Sequence, residues 1–248
     1  MPLILMRILE GKGLSFDRWM RILTCGRLEH ACADILAAIN PHDRVLEVGC
    51  GTGRLALELA ARGASVMAID ISDKMIGAAR ENLAAAEPGR VELRRLSALE
   101  IDDHFPEQHF DRVVSVLTFS ELSEAEVDCV LRQCRRVLRD SGQLLLVDEA
   151  VPQDVLRRIF FAMLRYPARL LVFLLSQSTD LGSANPLKAV LYYVIELPLM
   201  LLTFLVVPPA SRPLQNLEGR VQQAGFRTAS SKEYLGGLLR LWRSEGCV

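Results

Sequence analysis

Residues 45–53 read VLEVGCGTG, and a second apolar run, ASVMAID, ends at Asp70. Val45, Leu46 and Val48 predict a buried strand, and Gly49, Gly51 and Gly53 stand where the chain turns tightly into the helical stretch RLALELAARG. Glycine permits the backbone angles and the close ligand approach that such a turn needs. The spacing is G-x-G-x-G, whereas a dinucleotide fingerprint is G-x-G-x-x-G with a pyrophosphate on the helix N-terminus. Glu47, two residues before the first glycine, would repel a pyrophosphate and attract an ammonium group, directly or through water.

Outward from this loop, strand and helix patterns alternate in the way that builds a parallel sheet. Strands are predicted near 65–70, 91–96, 111–117 and 143–148, with helices from Ser72 to about Ala86 and from Ser123 to Leu138. Ser123 followed by Glu126 has capping-box spacing, and Ser141-Gly142 reads as the turn after that helix.

The order of strand, Glu47, glycines, helix, strand and Asp70 resembles motif I and the following strand of class I S-adenosylmethionine methyltransferases. FDRVVSVLTFSEL (110–122) resembles their fourth-strand segment and CRRVLRDSGQLLLVDEA (134–150) the helix and fifth strand after it. LQNLEGRVQQAGF (214–226) resembles the helix before their last hairpin, with Gly225 as helix stop, and SSKEYLGGLLRLWRS would supply the closing antiparallel strands. The resemblance implies an α/β, Rossmann-like fold with a seven-stranded, mostly parallel sheet, and S-adenosylmethionine as cofactor at the carboxyl ends of the strands. It implies cofactor contacts from Glu47, Gly49, Cys50, Gly51, Thr52 and Gly53. Asp70 would accept both ribose hydroxyls, beside Ile71 and Met75. Ser97 and Ala98 would lie at the adenine, Ser97 standing where an aspartate is usual. Leu117 and Thr118 would flank the cofactor. Cys50 is small enough for the loop and is not read as a nucleophile.

FDRWMRILTCGRLEHACADILAAI (16–39) resembles the segment that quinone-biosynthesis C-methyltransferases fold over the cofactor. Phe16-Asp17 stands where a Tyr-Asp is usual, and Thr24, Gly26 and Arg27 stand at contact positions. That run, with FSELSEAE and a late apolar insert, also resembles the corrinoid-protein-associated methyltransferases. The expected organisation is an N-terminal helical cap over 1–40, a methyltransferase domain over 41–150 and 214–248, and an inserted hydrophobic helical hairpin over 151–213, between the fifth strand and the next helix.

The hairpin holds the excess hydrophobicity of a chain that is 50% hydrophobic with a mean hydropathy of +0.22. VLRRIFFAMLRYPARLLVFLLS (155–176) and KAVLYYVIELPLMLLTFLVV (188–207) are joined by the polar QSTDLGSANPL. Six basic side chains, Arg157, Arg158, Arg165, Arg169, Lys188 and Arg212, stand there against Asp154, Asp180 and Glu196. A spanning helix needs about 20 mostly apolar residues, but the first segment has Arg165, Pro167 and Arg169 at its centre. An amphipathic pair lying in a membrane interface fits better. A soluble lid or a homodimer contact is the second arrangement, and a true two-pass crossing the third.

A formal net charge of −1 gives no field for nucleic acid. Six cysteines without C-x-x-C pairs suggest reduced, cytosol-facing thiols, and the opening MPLILMRILEGKG lacks a signal-like architecture. The four histidines show no metal-ligand spacing, so no metal is expected. The candidate catalytic residues follow the fourth and fifth strands, whose carboxyl ends face the ligand crevice: Glu121, which could equally flank the Ser123 helix, and Asp148, with Glu149 as its rival. The expected function is methyl transfer to a hydrophobic or membrane-held small molecule, a quinone precursor or lipid, at the inner face of a membrane. The alternatives are a methyltransferase serving a corrinoid protein and a non-catalytic cofactor-binding subunit that docks through its hairpin.

Overall fold

The computed structural model describes Asp17, Met20, Arg21, Thr24 and residues 26–84, 90–150 and 216–246. The hairpin expected at 155–207 lies outside the described residues, as does most of the predicted cap before Gly26. The described residues belong to one compact unit, Met6–Val151 with Arg212–Val248. Among them no helix is long and apolar enough to cross a membrane.

Seven strands are described: β1 Arg44–Val48, β2 Ser65–Asp70, β3 Val91–Arg95, β4 Phe110–Val116, β5 Leu138–Glu149, β6 Phe226–Tyr234 and β7 Leu239–Gly246. They form one sheet in the order β3-β2-β1-β4-β5-β7-β6, with β7 antiparallel to both neighbours and the other pairs parallel. The order reverses between β1 and β4, which opens a crevice at the carboxyl ends of those strands. This is the Rossmann-like, seven-stranded arrangement expected from the sequence.

Helices α1 Arg27–Leu36, α2 Arg54–Ala61, α3 Asp73–Ala84, α4 Ile101–His104, α5 Glu124–Val137 and α6 Leu217–Gln223 connect or flank the strands. Each longer helix buries a stripe at helical spacing, as in Val127, Val130, Leu131, Cys134 and Val137 of α5. Alternation along the strands feeds two cores. Leu46 and Val48 pack with α5 and α6 residues such as Leu131 and Val221, while Val45 packs with α1 and α2 residues such as Ile35 and Leu59.

The Ser123 capping box is present: Glu126 N–H donates to Ser123 Oγ and Ser123 N–H to Glu126 Oε2, 2.7 Å away. Ser141-Gly142, read as a turn, instead lies inside β5. Phe110 pairs with Leu138 and Arg112 with Gln143, so β5 bulges across those residues while its pairing continues on both sides. Gly142 is needed there for space, since a Cβ would sit 2.7 Å from Leu138 Cγ and 3.0 Å from two backbone oxygens.

Candidate active site

The loop after β1 is folded by backbone bonds to the next strand. Gly49 and Cys50 both donate N–H to Ile69 O, at 2.8 and 3.0 Å, and Gly53 N–H closes the turn on Cys50 O. Asp70 fastens the loop from the other side. Its Oδ2 accepts from Gly51 N–H at 2.9 Å and its Oδ1 from Ser72 N–H at 2.8 Å. Burial pushes the Asp70 carboxyl up, and those backbone bonds pull it partly back.

Gly49 has φ +76°, and a Cβ built on it would lie 2.0 Å from Thr118 Oγ1. Thr118 reaches that spot because Leu117 adopts a left-handed φ of +57°, held by its N–H bond to Val147 O at 2.8 Å. Thr118 Oγ1 in turn donates to Val48 O at 3.2 Å. The cofactor loop and the turn after β4 are thus in direct contact.

Around this junction lies a cavity of about 330 Å³, within the range of small-molecule sites. Glu47, Gly49, Cys50, Gly51 and Thr52 line it from the loop, and Asp70, Ile71 and Met75 from β2 and α3. Ser97 and Ala98 line it after β3, Leu117, Thr118 and Glu121 after β4. Four expected contacts are elsewhere, Arg27 among them as the exposed first residue of α1. Gly53 sits at the α2 N-terminus, where a Cβ would meet Ala79 at 3.0 Å. Thr24 Oγ1 bonds to Met20 O at 2.8 Å, and Gly26 supplies the left-handed residue that starts α1. These two shape the chain, and their neighbours Asp17, Met20, Arg21, Leu28 and Glu29 reach the cavity instead.

The wall is predominantly acidic in its residue types: Asp17, Glu29, Glu47, Glu58, Asp70, Glu121 and Glu126 against Arg21 and Arg54. Glu47 is 3% exposed, and its Oε2 is buried with no hydrogen-bond partner. Burial, reinforced by Asp70 and Glu58, pushes its carboxyl up to about 8. A buried polar atom without a partner is costly, and here it borders a cavity sized for a ligand. Another acid of the wall, Asp17, accepts from Thr52 Oγ1 at 3.1 Å, with its carboxyl raised by burial. Arg54 pairs with Glu58 at 3.0 Å and reaches Glu29 at 3.9 Å. Asp17 was marked by the Phe16-Asp17 match to the segment folded over the cofactor, whereas Glu29, Arg54 and Glu58 were not among the expected cofactor contacts. Their one sequence signal is the i,i+4 spacing of Arg54 and Glu58, which reads equally as an exposed helix pair.

Ser97 is shared between two tasks. It lines the cavity and caps the turn Ala98–Glu100, accepting from Leu99 N–H at 3.2 Å. The Cys50 thiol is buried and pushed upward by that burial and by Glu47, which disfavours the thiolate. No histidine lines the cavity, and among the described residues no group of three His, Cys, Asp or Glu is placed to hold a metal. Asp148, expected as a catalytic residue, is 1% exposed and is not part of the cavity wall. It accepts from Ser120 N–H at 3.1 Å and from Glu149 N–H at 2.7 Å.

The orphaned Glu47 oxygen, the tight glycine loop and the acidic wall fit a cofactor that presents cationic groups beside a ribose. Comparisons with known proteins agree. A family described as "Methyltransferase domain" matches residues 45–142. The chain is 40% identical over 145 residues to a phosphatidylethanolamine N-methyltransferase of Cereibacter sphaeroides, covering 56% of this chain and 68% of that one. It is 36% identical over 104 residues to a ubiquinone biosynthesis O-methyltransferase of Dechloromonas aromatica, covering 42% of this chain and 43% of that one. It spans 52% of the length of an uncharacterized methyltransferase of Synechocystis. Among solved structures, the fold matches a Synechocystis magnesium protoporphyrin IX methyltransferase with bound S-adenosylmethionine at TM-score 0.57 and 15% identity, over 92% of this chain and 81% of that chain. A Burkholderia thailandensis methyltransferase holding 1,6-didemethyltoxoflavin and S-adenosylhomocysteine matches at TM-score 0.60 and 15% identity, over 100% of this chain and 91% of that chain. The chain belongs to the S-adenosylmethionine-dependent methyltransferases, with S-adenosylmethionine as its methyl donor.

Proposed function

We propose that the enzyme methylates a hydrophobic or membrane-held small molecule, a lipid or quinone precursor, working as a peripheral protein at the inner face of a membrane. The observation that carries this reading is the sequence after β5. The chain leaves the carboxyl end of that strand, the same edge of the sheet as the cavity, and runs directly into the apolar, arginine-bearing segments 155–176 and 188–207. The relatives named above as acting on phosphatidylethanolamine and in ubiquinone biosynthesis support an amphiphilic acceptor.

When bound, the cofactor supplies an electrophilic methyl group for an in-line displacement, so the protein's work is mainly positioning. In this reading Glu47 holds the cofactor's ammonium, Asp70 the ribose hydroxyls, and the Ser97–Ala98 turn the adenine. Glu121, exposed at the cavity wall after β4, takes the proton that an amine or phenol acceptor must lose. Asp148, withdrawn from the cavity, is not assigned that role.

The test is transfer of labelled methyl from S-adenosylmethionine to phosphatidylethanolamine vesicles, to vesicles carrying a polyprenyl catechol, and to a soluble extract. Label recovered in a vesicle lipid supports the proposal. Label confined to the soluble fraction overturns it and points to an acceptor such as a corrinoid protein.

A further inference from the structure

The turn Thr118–Leu122 presents Thr118, Glu121 and Leu122 to the cavity while burying Phe119 at 1% and Ser120 at 4% exposure. Its conformation decides where one wall of the cavity stands. Two bonds tie it to β5: Leu117 N–H to Val147 O at its start, and Ser120 N–H to Asp148 Oδ2 in its middle. The second is made by a carboxylate buried in the core, with its other oxygen on Glu149 N–H. A buried charge is costly unless its hydrogen bonds are met, and an apolar side chain there would pack without that cost. A carboxylate, unlike an amide, can accept at both oxygens.

We propose that Asp148 is a positioning residue that latches the Thr118–Leu122 turn and so sets the acceptor wall of the cavity. Methyl-acceptor binding, rather than cofactor binding, depends on this latch, because Asp148 fastens Ser120, while Thr118, which meets the donor loop, is held by its own bonds to Val48 O and Val116 O. The choice of acceptor for the assay rests on the proposed function. Burial pushes the Asp148 carboxyl up to about 6, against bonds from Ser120 and the Glu149 N–H. Its titratable surroundings are Glu149 next along β5, Glu121 in the turn, and Arg240, its register partner on β7, whose guanidinium pairs with Glu233 and lies 3.9 Å from Glu218. Proton uptake by Asp148 removes an acceptor, so the latch is made above that range and weakened below it.

The test uses the full chain and its Asp148→Asn variant, with phosphatidylethanolamine vesicles and S-adenosylmethionine varied separately at pH 7.5. Loss of a charge-assisted bond is expected to raise the acceptor KM about tenfold. The S-adenosylmethionine Kd should stay within about threefold, because Thr118, the turn's contact with the donor loop, keeps its own bonds to Val48 O and Val116 O and the Leu117 N–H bond to Val147 O beside it. An unchanged acceptor KM, or cofactor affinity falling in parallel, overturns the proposal. If the variant does not fold, or if the wild type methylates no vesicle lipid, amide hydrogen exchange on the wild type decides the latch independently. Corrected for intrinsic rates, protection of 117–122 should fall as pH drops through about 6 while that of 45–53 does not; equal behaviour of the two segments overturns it. Failure of methyl transfer alone counts against the proposed function and leaves this exchange result standing.

Discussion

A methyl group added at Gly49 would meet Thr118 Oγ1 at 2.0 Å, on a backbone already at φ +76°. Gly49→Ala is therefore expected to destabilise the protein by about 1–3 kcal/mol and to weaken S-adenosylmethionine binding at least tenfold, read by thermal unfolding and calorimetry. Glu47 gives a proton-linked prediction. Burial raises its folded carboxyl from the ordinary 4.5 to about 8, so the free protein binds more protons than the unfolded chain between those values. Free-protein stability should fall as pH rises through that window, and Glu47→Gln should flatten the slope. Pairing with the cofactor's ammonium favours the ionised form, so binding at pH 7 should release a proton. Calorimetry in two buffers of different ionisation enthalpy measures this, and release should vanish in Glu47→Gln. These residues were legible in the sequence because glycine and a misplaced carboxylate announce backbone and charge requirements by their type. Asp148 was not legible in the same way. Strand-end position marked it as facing a ligand, whereas its side chain turns to backbone N–H groups that no spacing rule reveals.

At the scale of elements, α5 contributes Glu126 to the cavity wall, and its first turn is fixed by the reciprocal Ser123 and Glu126 bonds. Bonds from Ser123 hold the Glu126 carboxyl below its usual range. Ser123→Ala should cost about 1 kcal/mol in urea unfolding, with a small loss of cofactor affinity, since Leu122 and Glu126 also line the cavity. The cap was readable because its two residues are three apart. The β5 bulge was hidden, because Ser-Gly marks a turn equally when a strand resumes its register afterwards. Sequence period alone cannot tell a strand that starts at Gln143 from one that starts at Leu138 and bulges.

At the scale of the whole molecule, the described sheet is closed by β6 and β7 from beyond the apolar segment, and Gln143 to Glu149 pair fully with β7. The methyltransferase unit thus draws both parts of the chain into one sheet. Replacing 156–210 by a short flexible linker is expected to leave a folded protein that binds S-adenosylmethionine, by circular dichroism and calorimetry, but no longer sediments with anionic liposomes. Loss of folding would assign the segment to the core and end the interfacial reading. The alternation of strands and helices made this unit readable, down to the final antiparallel pair. The place of the apolar segment was equally plain, but apolar composition is shared by interfacial, core and dimer-forming helices.

The contact of Gly49 with Thr118 sets terms for any search for new acceptors, natural or in the laboratory. Positions 49 and 118 share one small volume, so their substitutions should be non-additive. Enlarging Thr118 to reshape the acceptor side displaces the donor loop, and the gain in specificity is offset by lost donor affinity. Glu121 and Leu122 border the same cavity without that clash recorded against the glycines. Drift in acceptor preference is therefore expected to pass through positions 121 and 122 first, leaving 49 and 118 to change only together.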